Sequence, residues 1–187
     1  MTGTACSPAI NHQTLVIMPY WRLSSFYFFY FAALGALVPY WGLYLQSRGF
    51  DAVAIGSLMA LLMATKIVAP NVWGWLGDHL GHRMLIVRRA SLVAVLAFVN
   101  MFWADGFWGI ALVMLVYSFF WNASLPQLEV VTFTYLGEQA KRYSLLRLWG
   151  SVGFIVTVIL LGRLLDYHGT EVILWVVLGM YLGIFLV

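Results

Sequence analysis

Six long apolar stretches alternate with short polar breaks along this chain. They cover about residues 23–45, 52–76, 84–103, 107–135, 143–165 and 172–187. A helix needs about 20 apolar residues to cross a hydrocarbon core of about 30 Å. In lipid, only helices and closed barrels satisfy every backbone N–H and C=O, and none of these runs shows the strict alternation of a barrel strand. The pattern predicts an all-α, polytopic membrane protein with six transmembrane helices. Residues 1–20 are mixed and loop-like and read as a tail, and residues 21–187 read as the helical bundle. The sixth run has only sixteen residues and stops without a flanking charge, the pattern of a chain cut within its sixth helix. The breaks are too short to hold a separate soluble domain.

Composition supports integral rather than peripheral association with the bilayer. Of the 187 residues 63% are hydrophobic and 9% charged, against about 25% charged in a soluble domain. Mean hydropathy is +0.90. The net charge of +3 says less than its placement. Arg22, Arg83, Arg88, Arg89, Lys141 and Arg142 fall at one end of the alternating helices, and Arg48 and Arg163 at the other. With the basic-rich end inside, the N-terminus lies in the cytoplasm. The single cysteine, Cys6, forms no disulfide within the chain, and the residues before it, MTGTA, lack the apolar run of a lipoprotein signal.

Three charges stand well inside the apolar runs. Glu129 precedes the loop at 137–142 and Arg147 follows it. At a rise of about 1.5 Å per residue, both lie roughly 12–15 Å from the end of this hairpin, near the middle of the hydrocarbon. Charges there usually pair and face a polar cavity, and they mark binding sites more often than not. The competing reading is an ion pair that only locks two helices together. Lys66, twelve residues before Asp78, is the third intramembrane charge. It is placed to face Glu129 or to line a cavity and attract an anion, and a lysine at mid-depth snorkels poorly.

Other features carry weaker signals. The aromatic run from Phe26 to Phe31, FYFFYF, covers every face of the first helix. Most of it is bulk apolar surface, with Tyr27 and Tyr30 as candidates to line a cavity. Gly150, Ser151 and Gly153 let the fifth helix approach a neighbour closely. Pro70 and Pro126 mark places where membrane helices bend. His79 and His82 share a face but lack a third ligand beyond Asp78, so a metal site is not expected. His12 and His168 are isolated. The sequence contains no nucleophile–base constellation, phosphate-binding loop or nucleic-acid patch, and nothing in it calls for a cofactor. An enzyme is therefore disfavoured.

Two motifs connect these features. The loop GWLGDHLGHR, with Gly74, Asp78, Gly81 and Arg83, follows the order G-x-L-x-D-x-x-G-x-R. It resembles the loop motif between the second and third helices of the major facilitator superfamily. The family usually has basic residues where His79 and His82 stand, so the loop is less positive while its skeleton is kept. The hairpin carries N-A-x-x-P-x-x-E (Asn122, Ala123, Pro126, Glu129), then, eighteen residues after the acid, R-x-x-G-x-V-G-aromatic (Arg147, Gly150, Val152, Gly153, Phe154). This resembles the lactose permease branch of the superfamily, and RLWGSVGF is similar to its phenylpropionate permease branch. The resemblance covers about residues 21–187 and implies the N-terminal six-helix half of a twelve-helix fold.

By resemblance, Glu129 and Arg147 contribute to substrate binding. The sugar-transporting members place an indole where Phe154 stands. A phenyl ring keeps an apolar face but lacks the N–H, and Arg147 suits a carboxylate. An aromatic or other organic acid is thus favoured over lactose. Asn122 and Lys66 complete the expected substrate-binding set, and Asp78 serves as a conformational latch in its loop. The resemblance implies a secondary transporter in the bacterial inner membrane, working by alternating access and coupled to protons, with a C-terminal half as partner. The alternative is a scaffolding half-protein that needs a partner chain and transports nothing alone.

Overall fold

The computed structural model of the chain describes residues 20–137 and 141–187, with the side chains at 141 and 142 set aside. Residues 1–19 of the expected tail, including Cys6 and His12, lie outside the described residues, as do the loop centre at 139 and the side chains of Lys141 and Arg142, while Tyr20 already belongs to the first helix. The helices are α1 (Tyr20–Ser47), α2 (Ala52–Leu80), α3 (Arg83–Val99), α4 (Gly106–Leu136), α5 (Lys141–His168) and α6 (Val172–Leu186). A 3₁₀ turn, Asn100–Phe102, extends α3. No strand occurs among the described residues. Five helices are long and apolar enough to cross a membrane, and α6, with 15 residues, is shorter.

The six apolar runs are the six helices; α1, α2, α4 and α5 run past them, while α3 and α6 stop short. The longest extension at a single end is that of α2, and it corrects one expectation. The stretch 74–83 is not a loop: Gly74 and Asp78 lie within α2, which ends at Leu80. Only Gly81 and His82 connect α2 to α3. Polar side chains at a membrane helix end reach water without the backbone giving up its helical hydrogen bonds. Gly81 stops the helix instead. It adopts φ 68°, a left-handed conformation that glycine enters without a Cβ clash, and its N–H bonds to the Gly77 carbonyl.

α1 is the centre of the bundle. It packs along α5 on one side and α6 on the other, while α4 packs on α3 and α2, and α3 reaches α6. An aromatic core fills the middle. Trp41, Phe98, Tyr117 and Tyr181 are buried, with Phe98 edge-on to both tyrosines. The aromatic run of α1 is part of this packing. Phe26, Tyr27 and Tyr30 are buried, and Tyr30 stacks on Trp121 at 4.9 Å. Tyr27 lies edge-on to Tyr143 of α5 at 6.4 Å, while Trp21, Val38 and Leu43 of the same helix stay exposed.

At one end, three connections are tied together. Arg48 pairs with Asp105 at 2.6 Å and donates to the Ala104 carbonyl at 3.1 Å. Ser47 and Thr170 share a hydrogen bond of 2.7 Å. Asp51 caps α2 by accepting from the Ala54 N–H at 2.8 Å. α2 and α5 are the least covered of the long helices. Their exposed rows include Val53, Met63, Ile67 and Val72 on α2, and Leu148, Val152, Ile155 and Ile159 on α5.

Candidate functional site

The glycines of the RLWGSVGF stretch position the arginine. A Cβ on Gly153 would run into the backbone carbonyl of Phe28, and one on Gly150 would sit 2.6 Å from the Phe31 ring. A Cβ on Gly35 of α1 would lie 2.8 Å from the Phe154 carbonyl oxygen. Glycine at these three positions lets α1 and α5 touch backbone to backbone, where dispersion rather than water exclusion holds helices together. Arg147 is one turn before Gly150 on α5. Its guanidinium carbon lies 6.0 Å from the ring centres of both Phe31 and Tyr143, within the range of cation–π attraction.

Across from it, α4 presents Glu129. The two charges do come together: Arg147 Nη1 is 3.8 Å from Glu129 Oε1. That separation is too long for a hydrogen bond. A third residue, which the sequence reading did not single out, closes the gap. The Tyr143 hydroxyl donates to Glu129 Oε1 at 3.1 Å and accepts from Arg147 Nη1 at 3.0 Å. Tyr143 precedes Arg147 by four residues, so one helical turn stacks them on one face. That spacing was visible in the sequence. Tyr143 also stacks on Phe133 of α4 at 4.7 Å.

Two details distinguish this trio from a simple clamp. α4 and α5 barely touch, since each packs mainly on other helices. The Arg147 side chain is 53% exposed and Glu129 31%. Of the five N–H donors of the guanidinium, one is committed to Tyr143. Both charges lie about two turns from the near ends of their helices. The two charges therefore sit at matched positions along the hairpin.

Lys66 is the residue at mid-helix. It lies halfway along α2 and lines a cavity of about 20 Å³ with Ser118, Trp121, Asn122 and apolar side chains of α1 and α2. Such a volume holds about one water. Lys66 makes no ion pair with Glu129 among the described residues, which removes that option. Among mostly apolar neighbours, Ser118 donates to Thr65 at 2.9 Å, and the buried Asn122 donates to the Ser118 carbonyl at 2.8 Å. Proline has no N–H, so Pro70 and Pro126 leave the carbonyls of Lys66 and Asn122 without their helical donors. Both breaks in the helical ladder fall beside the same cavity. Phe154 is half-buried two turns beyond Arg147. The expected binding residues thus form two groups, Glu129 with Arg147 and Lys66 with Asn122.

The α2–α3 corner is a separate assembly. Arg83 pairs with Asp78 and donates to Gln127 Oε1 of α4 at 2.7 Å. Gln127 in turn donates to the Trp73 carbonyl at 2.5 Å. Gln127 is fully buried and was not anticipated from the sequence. It packs directly on Gly77, where any side chain would collide with it. The close approach expected of the motif glycines falls on Gly77, while Gly74 has open space around it. His79 Nδ1 lies 2.9 Å from the Trp75 carbonyl, a local contact.

A six-helix membrane bundle with this hairpin and this corner defines half of a major facilitator fold. The family model described as the MFS_1 like family matches residues 20–187, and the chain belongs to that family, within the major facilitator superfamily of transporters. It is a multi-pass integral membrane protein, and its family is one of transporters rather than enzymes. The chain is 30% identical over 151 residues to a maltose permease of Geobacillus stearothermophilus, covering 80% of this chain and 38% of that one. It is 29% identical over 155 residues to a probable 3-phenylpropionic acid transporter of Escherichia coli (strain K12), covering 79% and 39%. The crystal structure of the nucleoside transporter NupG superposes with a TM-score of 0.80 at 17% identity, over 89% of this chain and 42% of that one. The chain thus spans about two fifths of the length of the relatives it matches.

Proposed function

We propose that this chain forms the N-terminal half of a secondary transporter that takes up a small organic solute by alternating access, coupled to protons. The carrying observation is the Glu129–Tyr143–Arg147 trio. It is an intramembrane acid and base held near each other by a phenol, with the arginine half open and most of its donors uncommitted. A helix lock would favour short bidentate contacts between well-packed helices. This arrangement instead leaves a forked cation ready for a carboxylate. We assign Glu129, Arg147 and Phe154 to one side of the substrate and Lys66 and Asn122 to the other. The solute class is an aromatic or other organic acid, with a sugar as the second option, and the names of the two relatives span both. The Arg83–Asp78 contact acts as the latch that opens and closes with the transport cycle.

The membrane is a bacterial inner membrane with the N-terminus cytoplasmic, on the strength of the basic bias. The partners are the solute, protons, the bilayer and a second six-helix half. The exposed apolar rows of α2 and α5 suit that half, and Tyr143 and Arg147 stand on the second of these helices. Without such a partner the chain would be a scaffold that transports nothing.

Arg147→Lys tests the assignment, because it keeps the charge and removes the planar fork. The full-length transporter carrying it is expected to fold and to lose affinity for 3-phenylpropionate by about tenfold or more. Equilibrium binding of labelled 3-phenylpropionate, with maltose as the second probe, reads the change. Near-normal affinity for the preferred probe in a well-folded variant demotes the trio to a clamp.

A further inference from the structure

Three side chains that line the small cavity beside Lys66 have hydrogen-bonding capacity left over. The Lys66 ammonium has no ion-pair or hydrogen-bond partner among the described residues. Trp121 is 3% exposed, and its buried Nε1–H has no acceptor among them. Asn122 commits its amide nitrogen to the Ser118 carbonyl, and its Oδ1 accepts no hydrogen bond among the same residues. Buried donors are nearly always paired, so the indole N–H calls for an acceptor. The Tyr117 and Tyr181 hydroxyls are also unpartnered, but they do not line this cavity. Two helices place the cavity on the same side of the bundle as the trio. On α4, Asn122 and Glu129 are two turns apart, so they stand on one face, about 10 Å from each other along the axis. On α1, Leu34 and Val38 line the cavity and share a face with Phe31, whose ring lies beside Arg147. Phe31 and Leu34 are half-buried and Val38 is exposed. A partly uncovered apolar strip thus runs from the arginine to the cavity.

We propose that the Lys66–Trp121–Asn122 cavity is a subsite for a hydroxyl group at the far end of the solute, and that the preferred solute is a hydroxylated aromatic acid. This rests on the transporter reading above and adds the chemistry of the second end. With the carboxylate at Arg147, the ring lies along Phe31, Leu34 and Val38, and a hydroxyl para to the acid chain reaches the cavity. Size favours this group. A cavity of about 20 Å³ takes one water-sized atom, which is a hydroxyl oxygen and not a second carboxylate. The count of donors and acceptors favours it as well. A hydroxyl brings one O–H donor and two acceptor lone pairs. Asn122 Oδ1 takes the proton, and the Lys66 ammonium and the Trp121 N–H fill the two lone pairs. A bare ring edge would satisfy none of the three. The two turns between Asn122 and Glu129 match the length of a phenyl ring plus a short acid chain.

Equilibrium binding of 3-(4-hydroxyphenyl)propionate and 3-phenylpropionate to the full-length transporter, measured side by side in one preparation, tests the subsite. The hydroxylated acid is expected to bind about tenfold more tightly, the usual worth of a hydrogen bond to a charged group. Trp121→Phe keeps a ring against Tyr30 and removes the N–H, and Lys66→Met removes the ammonium at similar length. Each should cut the preference to about threefold or less. Both acids carry the same charge, so their affinity ratio is untouched by general electrostatics or by an unfolded fraction of the sample. Equal affinity of the two acids for the unsubstituted transporter would overturn the subsite and leave its cavity to water, a result that needs no variant to fold. So would a preference that both variants keep in full. An equal gain from 3-(2-hydroxyphenyl)propionate, whose hydroxyl lies beside the acid chain, would place the hydroxyl contact elsewhere and overturn it too. If neither acid binds, the organic-acid reading falls and the subsite with it. If both bind alike, the subsite falls alone.

Discussion

At the scale of single residues, the hydroxyl of Tyr143 has the sharpest consequence. It bridges Glu129 and Arg147, whose own atoms are too far apart to bond. Tyr143→Phe keeps the ring stacked on Phe133 and deletes only the bridge. We expect a folded protein whose affinity for its solute falls by about tenfold, the usual worth of a hydrogen bond to a charged group. Binding measured alongside thermal unfolding checks it, and unchanged binding would show that the bridge is incidental. Glycines give a second contrast. Gly153→Ala forces a methyl group into the Phe28 backbone, which cannot rotate away as a side chain would. A loss of about 1–3 kcal/mol is expected, the range for an overpacked core. Gly74→Ala meets open space inside α2, and helix propensity favours it by up to about 1 kcal/mol. Unfolding midpoints in one detergent should therefore move in opposite directions. Neither glycine could be ranked from the sequence, because each belongs to a motif and only packing separates them.

At the scale of helices, the apolar runs were enough to place all six, five of them long enough to cross the bilayer. Their ends were less legible. α2 continues past its last apolar residues because a helix emerging into water keeps its hydrogen bonds, so the supposed loop shrank to Gly81 and His82. The acid and base of the α4–α5 hairpin were legible from depth and sign. Tyr143 and Gln127 were not, because a tyrosine and a glutamine among apolar residues give no sign of the partner they reach on another helix. Gln127 matters to the corner as much as Asp78 does. It holds Arg83 from α4 and the Trp73 carbonyl of α2, so three helices meet in one network. Asp78→Asn removes the ionic half of that network and leaves the Gln127 half. The full-length transporter with this change is expected to slow in transport while its solute affinity stays within about twofold. Uptake rates and equilibrium binding compared in one preparation decide it. A large loss of binding with normal turnover would make the aspartate part of the solute site rather than a latch.

At the scale of the whole molecule, the basic bias and the half-open site make two demands. The first is orientation. Single cysteines introduced at 48 and 141, in a Cys6→Ser background, should react with a membrane-impermeant reagent only at 48 in sealed cells. Labelling at 141 from outside would invert the topology. The second is sufficiency. A transporter exposes its site alternately to the two sides, which needs two bodies that rock against one another. The described helices supply one such body. Two residues of its trio stand on α5, which with α2 is one of the two long helices with the most uncovered apolar surface. The cavity beside Lys66 has room for about one water rather than a solute. On the proposed two-body reading, a wall from the second half completes the solute pocket beside the trio and Lys66. Reconstituted alone into liposomes, this chain is therefore expected to accumulate neither 3-phenylpropionate nor maltose when a proton gradient is imposed. Added as a separate polypeptide, the remaining half of a longer natural product should restore uptake if the two associate through α2 and α5. Charged substitutions on those faces, such as Ile67→Lys and Ile155→Lys, should then block the rescue without unfolding either half. Uphill uptake by the chain alone, shown to be monomeric in the liposomes, would mean that one six-helix body suffices, and the two-body mechanism would fail for this protein.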